Sequence, residues 1–467
     1  MESRIKELEK ENNELKLIIQ VLTKEIEALK AKLNMDSSNS SLPPSSDRFK
    51  KKDKKQRSLR QKSEKSSGGQ IGHKGSTLQK VQIPDFVVEL PNDTCTNCSH
   101  DLTDIKANAI KSRQVFDIPE IKINITEFRA HSKICPHCNA KTTSEFPKNV
   151  NHSAQYGANI RALILNLNIY QSLPYKRLQE LLNDVFNLKL SQGTIYNTLK
   201  SGYTKLEAVE DFFKEQLAKS SVAHADETGT KVNGINRWIH SFSNDSFTVL
   251  SAHKNRGKKA LVEAGIIEKF NGILAHDCWY AYDSFNNLTH ALCWAHFLRE
   301  LQSIQDNTSL KFPENIKNSI FKLKDIVDKG ESINEAEELS LYLGYMNAVE
   351  EGIVEERKHY PFDPTSEGKP KRSKAYNLLK RLSRYEDVLR FFTEKNAEIF
   401  TNNAAEREIR NVKVKSKIQG TFRSYLGPEI FCRIRGYIAT MKKHGLNQFD
   451  ALKRIFKLEE IISLIAK

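Results

Sequence analysis

The chain has 467 residues, of which 39% are hydrophobic and 28% charged, and its formal net charge of +15 gives a pI near 9.2. This length allows two to four domains, and the hydrophobic share is large enough to build their cores. No apolar stretch approaches the roughly 20 residues that span a bilayer, and the opening MESRIKELEK lacks the apolar core of a signal peptide. We therefore expect a cytoplasmic protein without a membrane partner, and its basic charge favours nucleic acid as the partner.

A heptad pattern runs through residues 1–35. Two seams recur every seven residues; they consist of Leu8, Leu15, Leu22 and Leu29 and of Ile5, Asn12, Ile19, Ile26 and Leu33. Isoleucine on one seam with leucine on the other favours two parallel strands, and a single buried Asn12 fixes their register. The pattern predicts a homodimer through a coiled coil. An amphipathic helix packed on its own domain is the alternative.

Residues 36–80 contain almost nothing to bury, and this composition predicts a disordered linker. Between Arg48 and Lys65, ten lysines and arginines stand against two acids, which supplies +8 of the net charge of +15. The linker either clamps phosphates without sequence preference or is only a solvated tether.

Two cysteine pairs occur in residues 81–150, in the sequences CTNC and CPHC; they are Cys95, Cys98, Cys135 and Cys138. Each C-x-x-C turn lets two sulfurs reach one ion, so the two pairs predict a structural Zn²⁺ site. Strand-like alternation in VFDIPEIKINITEFRAHS predicts a two- or three-stranded sheet between them, which would make a small zinc-binding β module. A redox pair is the alternative. Four cysteines leave no open position, so we do not expect this zinc to be catalytic.

Residues 151–218 have a helical pattern. The segments PYKRLQELLNDVFNL and SQGTIYNTLK predict two helices joined by a tight turn, with Ser191 as the N-cap of the second. This arrangement is typical of a helix-turn-helix, whose second helix would present Gln192, Thr194 and Asn197 to DNA bases. Ordinary helical packing is the alternative.

Residues 219–310 shift to strands. SSVAHADETGTKVNG, NRWIHSFSN and DSFTVLSAH predict three strands, GKKALVEAGIIEKF a helix and GILAHDCWYAYDSF a further strand. Together they predict a mixed sheet with helices on its faces. Asp226 and Asp277 each end an apolar strand, where a buried charge is costly unless a cation or donor meets it. On adjacent strands, both carboxylates could reach one ion.

A third carboxylate comes from the helix predicted within residues 396–430. TNNAAEREIRNVKVKSKIQGTFRS places Glu406 near the helix start, with Asn402 or Asn403 as the cap. The surrounding cations are Arg407, Arg410, Lys413, Lys415 and Lys417. Carboxylates that gather two Mg²⁺ or Mn²⁺ ions roughly 3.5–4 Å apart, beside bases that hold phosphates, suit phosphoryl transfer on nucleic acid. Residues 311–395 predict a helical insertion, and residues 431–467 a C-terminal helical segment.

Three nearby carboxylates compete with this set. Glu227 follows Asp226 on a strand, so the two side chains should leave opposite faces of the sheet. Asp283 falls after the aromatic turn rather than at the strand end, and Glu408 points about 200° away from Glu406 around the helix. The CWAH sequence at 293–296 is either a core cysteine with a hydrogen-bonded histidine or a metal-binding pair for which two further ligands are not evident.

These stretches resemble the transposases of insertion sequences of the IS66 family. The matching sequences are HADETGTKVNG, HDCWYAYDSF, CWAHFLREL, NNAAEREIR and GTFRSYLG, in family order, together with the GGQIGHKGS linker, the paired C-x-x-C motifs and the N-terminal zipper. The resemblance implies a ribonuclease H-like catalytic domain with a DDE triad, carried over to Asp226, Asp277 and Glu406. It also implies DNA as partner, at the element ends and at the target, and leaves open whether helper proteins are required.

The resulting expectation is a multidomain α+β protein. It comprises a coiled coil, a zinc-binding β module, a helix-turn-helix-like domain and a ribonuclease H-like mixed α/β domain with a helical insertion. Its activity would be Mg²⁺-dependent cleavage of DNA and transfer of the freed 3′-hydroxyl to target phosphate. A non-enzymatic DNA-binding regulator and a metal-dependent nuclease without strand transfer are the alternatives.

Overall fold

A computed structural model describes residues 2–33, 72, 74–75, 77–329, 334–360, 372–384, 401–457 and 461–465. The basic stretch at 48–65, on which the linker prediction rests, lies outside the described residues. Within the part of the chain that is described, no helix combines the length and apolar character needed to cross a membrane.

The described residues form helices and two sheets. In chain order the helices are α1 (Glu2–Leu33), α2 (Ala158–Leu165), α3 (Tyr175–Phe186), α4 (Gln192–Lys205), α5 (Glu207–Ala218), α6 (Lys258–Glu263), α7 (Trp294–Asn307), α8 (Phe312–Lys329), α9 (Glu335–His359), α10 (Lys374–Arg384), α11 (Asn403–Gln419), α12 (Leu426–Lys443) and α13 (Gln448–Lys457). The strands are β1 (Ser132–Ile134), β2 (Lys141–Thr143), β3 (Val222–Val232), β4 (Ile235–Ser243), β5 (Thr248–His253), β6 (Ile273–His276) and β7 (Thr289–Leu292). The predicted mixed α and β composition is confirmed.

The larger sheet has the strand order β5-β4-β3-β6-β7. Strands β3, β4 and β5 are antiparallel neighbours, whereas β6 runs parallel to β3 and β7 runs parallel to β6. Asn233 and Gly234 join β3 to β4 with φ values of 50° and 80°. Two positive φ angles are what a two-residue hairpin turn requires, and Asn-Gly supplies them at low cost. This hairpin is therefore encoded locally.

One hydrophobic core joins helices α2–α5, the sheet and helices α12 and α13. Helix α12 packs closely on β5 at Gly436. A Cβ at this position would lie only 3.0 Å from the Thr248 carbonyl oxygen, which shows how near the two backbones are. The Thr440 hydroxyl oxygen accepts a hydrogen bond of 3.0 Å from the Thr248 amide on this edge strand. Residues 151–218 and the C-terminal helices thus pack directly on the sheet that carries the candidate site.

Helices α7–α10 form a second core. Trp294 on α7 is almost fully buried there, and its ring meets the ring of Tyr345 on α9 edge to face at a centroid distance of 6.3 Å. The helical character predicted for residues 311–395 is present in α8, α9 and α10. Helix α7, predicted as part of the preceding segment, shares their core.

Helix α1 covers the heptad pattern in one continuous segment. Its seam faces solvent: Leu15, Ile19 and Leu22 are 58%, 61% and 51% exposed. Near its end, Glu27 accepts a hydrogen bond from the hydroxyl of Tyr360, just after α9. The described chain therefore leaves most of an apolar stripe available to a partner.

Candidate active site

Asp226 lies on β3, near the middle of the sheet. Its Oδ1 accepts a hydrogen bond of 2.8 Å from the amide of Glu227. Burial raises the pKa of Asp226 well above its usual range, and the negative charges of Asp277, Glu227 and Glu406 raise it further. These charges act on Asp226 because the structure brings them together. A bound cation would offset both the cost of burying the Asp226 carboxylate and the repulsion from the neighbouring carboxylates.

Asp277 directly follows β6, the parallel neighbour of β3. Their register pairs His224 with Ala275, so the same offset sets Asp277 beside Asp226 at one end of the sheet. Immediately after Asp277 the chain turns sharply, because Cys278 has a positive φ of 65°. The Asp277 carboxylate accepts a hydrogen bond of 3.2 Å from the amide of Trp279, which holds it at the turn.

Asn402 joins the start of α11 to the sheet. Its side-chain amide donates to the carbonyl oxygen of Ala225 at 2.7 Å, and its Oδ1 lies 3.3 Å from Nδ1 of His224. Its backbone amide donates to the sulfur of Cys293 at 3.3 Å. The sequence suggested Asn402 as a helix cap, but its side chain bonds across to β3 instead. It thereby positions the first turn of α11 next to Asp226.

Glu406 lies in that first turn. Its Oε2 accepts a hydrogen bond of 3.1 Å from Arg410, one helical turn later. Its Oε1 is buried without a hydrogen-bond partner among the described residues, as is Nδ1 of His296, and the two atoms are 4.0 Å apart. A buried polar atom without a partner is costly, so this face of Glu406 is suited to a ligand.

Glu227 occupies the opposite face of β3, as strand alternation predicts. Its side chain is fully buried, with Oε1 accepting bonds of 2.9 and 2.6 Å from Arg256 and Oε2 accepting one of 3.0 Å from Tyr282. Burial and the charge of Asp277 raise the pKa of Glu227 to about 7 despite these bonds. The guanidinium of Arg256 also lies over the rings of Trp238 and Trp279, at 4.9 and 4.3 Å. Glu227 is thus committed to a structural network.

The other two competing carboxylates interact with residues outside the proposed triad. Glu408 is buried and accepts a hydrogen bond of 3.3 Å from Asn411. Burial lowers the pKa of Arg435 on α12, and the negative charge of Glu408 partly offsets that shift. Asp283, in the short 3-10 turn Tyr282–Ser284, exerts its charge on His290. These contacts agree with the strand-position and helix-phase arguments, and the exclusion of both residues from the site stays a prediction.

Most cations of α11 line its exposed side. Arg407, Arg410, Lys413 and Lys417 are exposed, and the Lys413 amine also donates to the carbonyl oxygen of Gly229 at 2.9 Å. Lys415 is different: only 5% of its surface is exposed, its amine lies 3.4 Å from the ring centre of Phe422, and burial lowers its pKa to about 8. Two residues along a helix turn the side chain about 200°, so Lys415 points inward where Lys413 and Lys417 do not, and its burial argues against the DNA contact that the sequence predicted.

The predicted recognition helix is α4, preceded by α3. Ser191 caps it, accepting a hydrogen bond of 3.0 Å from the amide of Thr194. Gln192 and Asn197 are exposed, whereas the Thr194 hydroxyl lies 2.9 Å from the Ser191 hydroxyl and is only partly exposed. Two of the three predicted contact residues are therefore free to meet a ligand, and DNA contact by all three stays a prediction.

The two cysteine pairs form matching turns. In each turn the first cysteine's carbonyl oxygen accepts a 2.9 Å bond from a residue with positive φ, namely Ser99 or Asn139. Hydrogen bonds from the following amides lower the pKa of Cys95 and Cys135, which favours thiolates. The sheet predicted between the pairs does not form: no strand occurs over 102–131, because side-chain alternation without a partner strand fixes no hydrogen bonds. Only the short ribbon of β1 and β2 flanks the second pair.

A mixed sheet that gathers carboxylates from two strands and a helix, beside a row of exposed cations, is typical of an enzyme that processes nucleic acid. Residues 153–429, well over half of the chain, match the family described as "Transposase IS66 family". The chain therefore belongs to the IS66 transposase family, which confirms the resemblance. Residues 1–79 match a family of unknown function. No curated protein matches the chain.

Proposed function

We propose that this transposase binds the ends of its insertion sequence, cleaves the DNA and joins the freed 3′-hydroxyl to target DNA, using Asp226, Asp277 and Glu406 as a DDE triad. The observation that carries the proposal is the convergence of these three carboxylates from β3, the end of β6 and the first turn of α11. The strand order, with three antiparallel strands followed by two parallel ones, supports a ribonuclease H-like assignment for this domain.

The residues fit hard divalent cations. All three side chains offer carboxylate oxygens, the ligands that Mg²⁺ and Mn²⁺ prefer. The mutual repulsion that raises the pKa of Asp226, and the unpartnered Oε1 of Glu406, are both relieved by a cation. Two bound Mg²⁺ ions would supply charge stabilisation and activation of the attacking hydroxyl.

The chain's own residues orient this site and hold the substrate. Arg410 holds one oxygen of Glu406, and Asn402 ties the start of α11 to β3 so that Glu406 stays near Asp226. Arg407, Arg410, Lys413 and Lys417 form an exposed cationic side of α11 that suits the phosphate backbone. We further propose that Gln192, Thr194 and Asn197 on α4 contact DNA, and that the protein acts in the bacterial cytoplasm in association with the nucleoid.

A direct test is cleavage and strand transfer with labelled DNA of the element's own ends, purified full-length protein and Mg²⁺. We expect nicking at the ends followed by joined products. Nicked ends without joined products would identify a nuclease instead, and binding without nicking would identify a DNA-binding regulator.

Divalent cations should stabilise the protein more at pH 8 than at pH 5. Burial and the charges of Asp277, Glu227 and Glu406 raise the pKa of Asp226 well above its usual value of 3.8, so the folded state keeps a proton on Asp226 that the unfolded chain has lost. The free energy of unfolding therefore falls as pH rises above about 3.8, and Mg²⁺ binds best once the Asp226 proton has left. Mg²⁺ binding offsets that loss, by about 2.7 kcal/mol at a concentration of about 100 Kd. Thermal melts with and without Mg²⁺ at both pH values measure the difference.

Asp277→Asn is the control for this measurement. It removes one ligand and one repelling charge, so its melting temperature should respond little to Mg²⁺ at either pH. Equal stabilisation of the wild type at pH 5 and pH 8 would contradict the proposed role of the carboxylate cluster.

The cysteine pairs should hold about one Zn²⁺ per chain through Cys95, Cys98, Cys135 and Cys138. Changing Cys135 to Ser should release the metal and weaken DNA binding while the sheet domain stays folded, because the cysteine module lies outside both cores. Metal analysis, gel shift and circular dichroism of the variant test this. Stoichiometric zinc in the variant would rule out this ligand set.

A further inference from the structure

Cys293, His296 and Glu406 form a second cluster of metal-ligating side chains beside the carboxylates. Each residue offers one ligand atom, and these three atoms all lie within 4.8 Å of one another. Among the described residues, this is the one group of three or more possible ligand side chains found at such distances. Cys293 directly follows β7 and is the N-cap residue of α7, and His296 follows within the first turn of that helix. The chain brings Glu406 to them from more than 100 residues away in sequence, through the contact between Asn402 and Cys293.

Two polar atoms of this cluster have no hydrogen-bond partner among the described residues. Nδ1 of His296 and Oε1 of Glu406 are buried and form no hydrogen bond within the described chain. Cys293 is buried as well, with 1% of its surface exposed. The Asn402 amide donates to that sulfur at 3.3 Å, in the manner of the backbone donors that orient metal-bound thiolates. Oε2 of Glu406 is meanwhile held by Arg410, so Oε1 is the oxygen left for a ligand.

We propose that Cys293, His296 and Glu406 bind a borderline divalent cation such as Zn²⁺, distinct from the Mg²⁺ ions of the carboxylate triad. Sulfur, imidazole nitrogen and one carboxylate oxygen are a donor set that zinc accepts and that hard Mg²⁺ does not favour. Three protein ligands leave a fourth position for water. On binding, the Cys293 thiol releases its proton to solvent and the thiolate enters the coordination sphere.

This site shares Glu406 with the triad, and that sharing has a functional consequence that rests on the proposed function. Zinc at Cys293 and His296 draws Oε1 of Glu406 to itself, which leaves Asp226 and Asp277 without their third carboxylate. Zn²⁺ therefore inhibits Mg²⁺-dependent cleavage, and the transposase is held inactive wherever free zinc fills the site.

Equilibrium dialysis of the full-length protein against Zn²⁺, followed by metal analysis, tests the binding. Cys293→Ser and His296→Asn should each bind one zinc ion fewer per chain than the wild type. Cys432→Ser, which changes another buried cysteine on α12, should bind as many as the wild type. Circular dichroism checks that each variant is folded. Equal zinc content in all four proteins would overturn the proposal.

Cobalt gives a second readout that does not depend on those variants being stable. In the Cys135→Ser protein, Co²⁺ should still produce the absorption of a cobalt–thiolate bond, and adding Cys293→Ser should remove it. Absence of the band in folded Cys135→Ser protein would also overturn the proposal.

Cleavage assays separate this inference from the proposed function. Adding Zn²⁺ at constant Mg²⁺ should reduce wild-type cleavage, and His296→Asn should retain a larger fraction of its own zinc-free rate. If the protein binds zinc as expected but never cleaves DNA, the proposed function fails and the zinc site stands. If it cleaves DNA and the variants bind zinc like the wild type, the zinc site alone fails.

Discussion

Asp226→Asn, Asp277→Asn and Glu406→Gln should each reduce DNA cleavage and strand transfer by at least about 10²-fold, the scale seen when one preorganised electrostatic group is removed from an active site. Each change keeps the shape of the side chain and removes the negative charge that would hold Mg²⁺. Binding to the element ends should persist, because the exposed cations of α11 and the residues of α4 are untouched. Gel shift and nicking of labelled end DNA give both quantities for each variant.

Neighbouring carboxylates supply the matched controls for the triad. Asp283→Asn and Glu408→Gln should keep most of the activity, because Asp283 acts on His290 and Glu408 faces α12. Glu227→Gln is a weaker control, because its buried carboxylate accepts hydrogen bonds from Arg256 and Tyr282 and the change will disturb folding. A fully active Glu406→Gln protein, or an inactive Asp283→Asn beside an active Asp277→Asn, would disprove the triad assignment.

Leu15→Lys with Leu22→Lys should convert a dimeric protein to a monomer. Both leucines lie on the exposed apolar seam of α1, and each exposes more than half of its surface in the single chain. Lysines at these positions place like charges opposite one another in a two-stranded coiled coil and remove its core packing. We expect sedimentation to report the mass of one chain and gel shifts to show weaker pairing of two element ends.

Val21→Lys is the matched control for the seam. Val21 is also apolar and 50% exposed on α1, but it lies outside the heptad seam. This variant should remain dimeric. If the double leucine variant sediments as a dimer too, another surface of the protein carries the assembly and the exposed seam has a different partner.

Local pattern was sufficient for much of the candidate site. Asp226 and Asp277 were both predicted to end apolar strands; Asp277 does follow the end of β6, whereas Asp226 lies within β3, and the β3–β6 register sets the two side by side. The two-residue period of a strand placed Glu227 on the other face, where the structure finds Arg256 bonded to it. The helical period likewise separated Glu408 from Glu406. Period and strand ends are properties of neighbouring residues, so one sequence reveals them.

Contacts between distant segments were not predictable in this way. The bond from Asn402 to the Ala225 carbonyl oxygen joins residues 177 positions apart, and no local pattern marks such a pair. Lys415 belongs to a run of cations in sequence, yet the packing of α11 buries it against Phe422. The alternating residues 115–132 were predicted to form strands, yet no strand occurs among the described residues before Ser132, because a strand exists only when a partner is present to accept its hydrogen bonds.

The amino-acid order of this protein specifies most of its helices and the strands of the larger sheet, its heptad seam and its cysteine turns, because these depend on period, capping and turn chemistry within a few residues. The assembly of those elements settles the rest. It places Glu406 beside Asp226, leaves Oε1 of Glu406 facing His296 without a partner, and packs residues 158–218 on the sheet. These features arise when segments far apart in sequence exclude water from a shared core, and the burial that results decides which charged groups have partners.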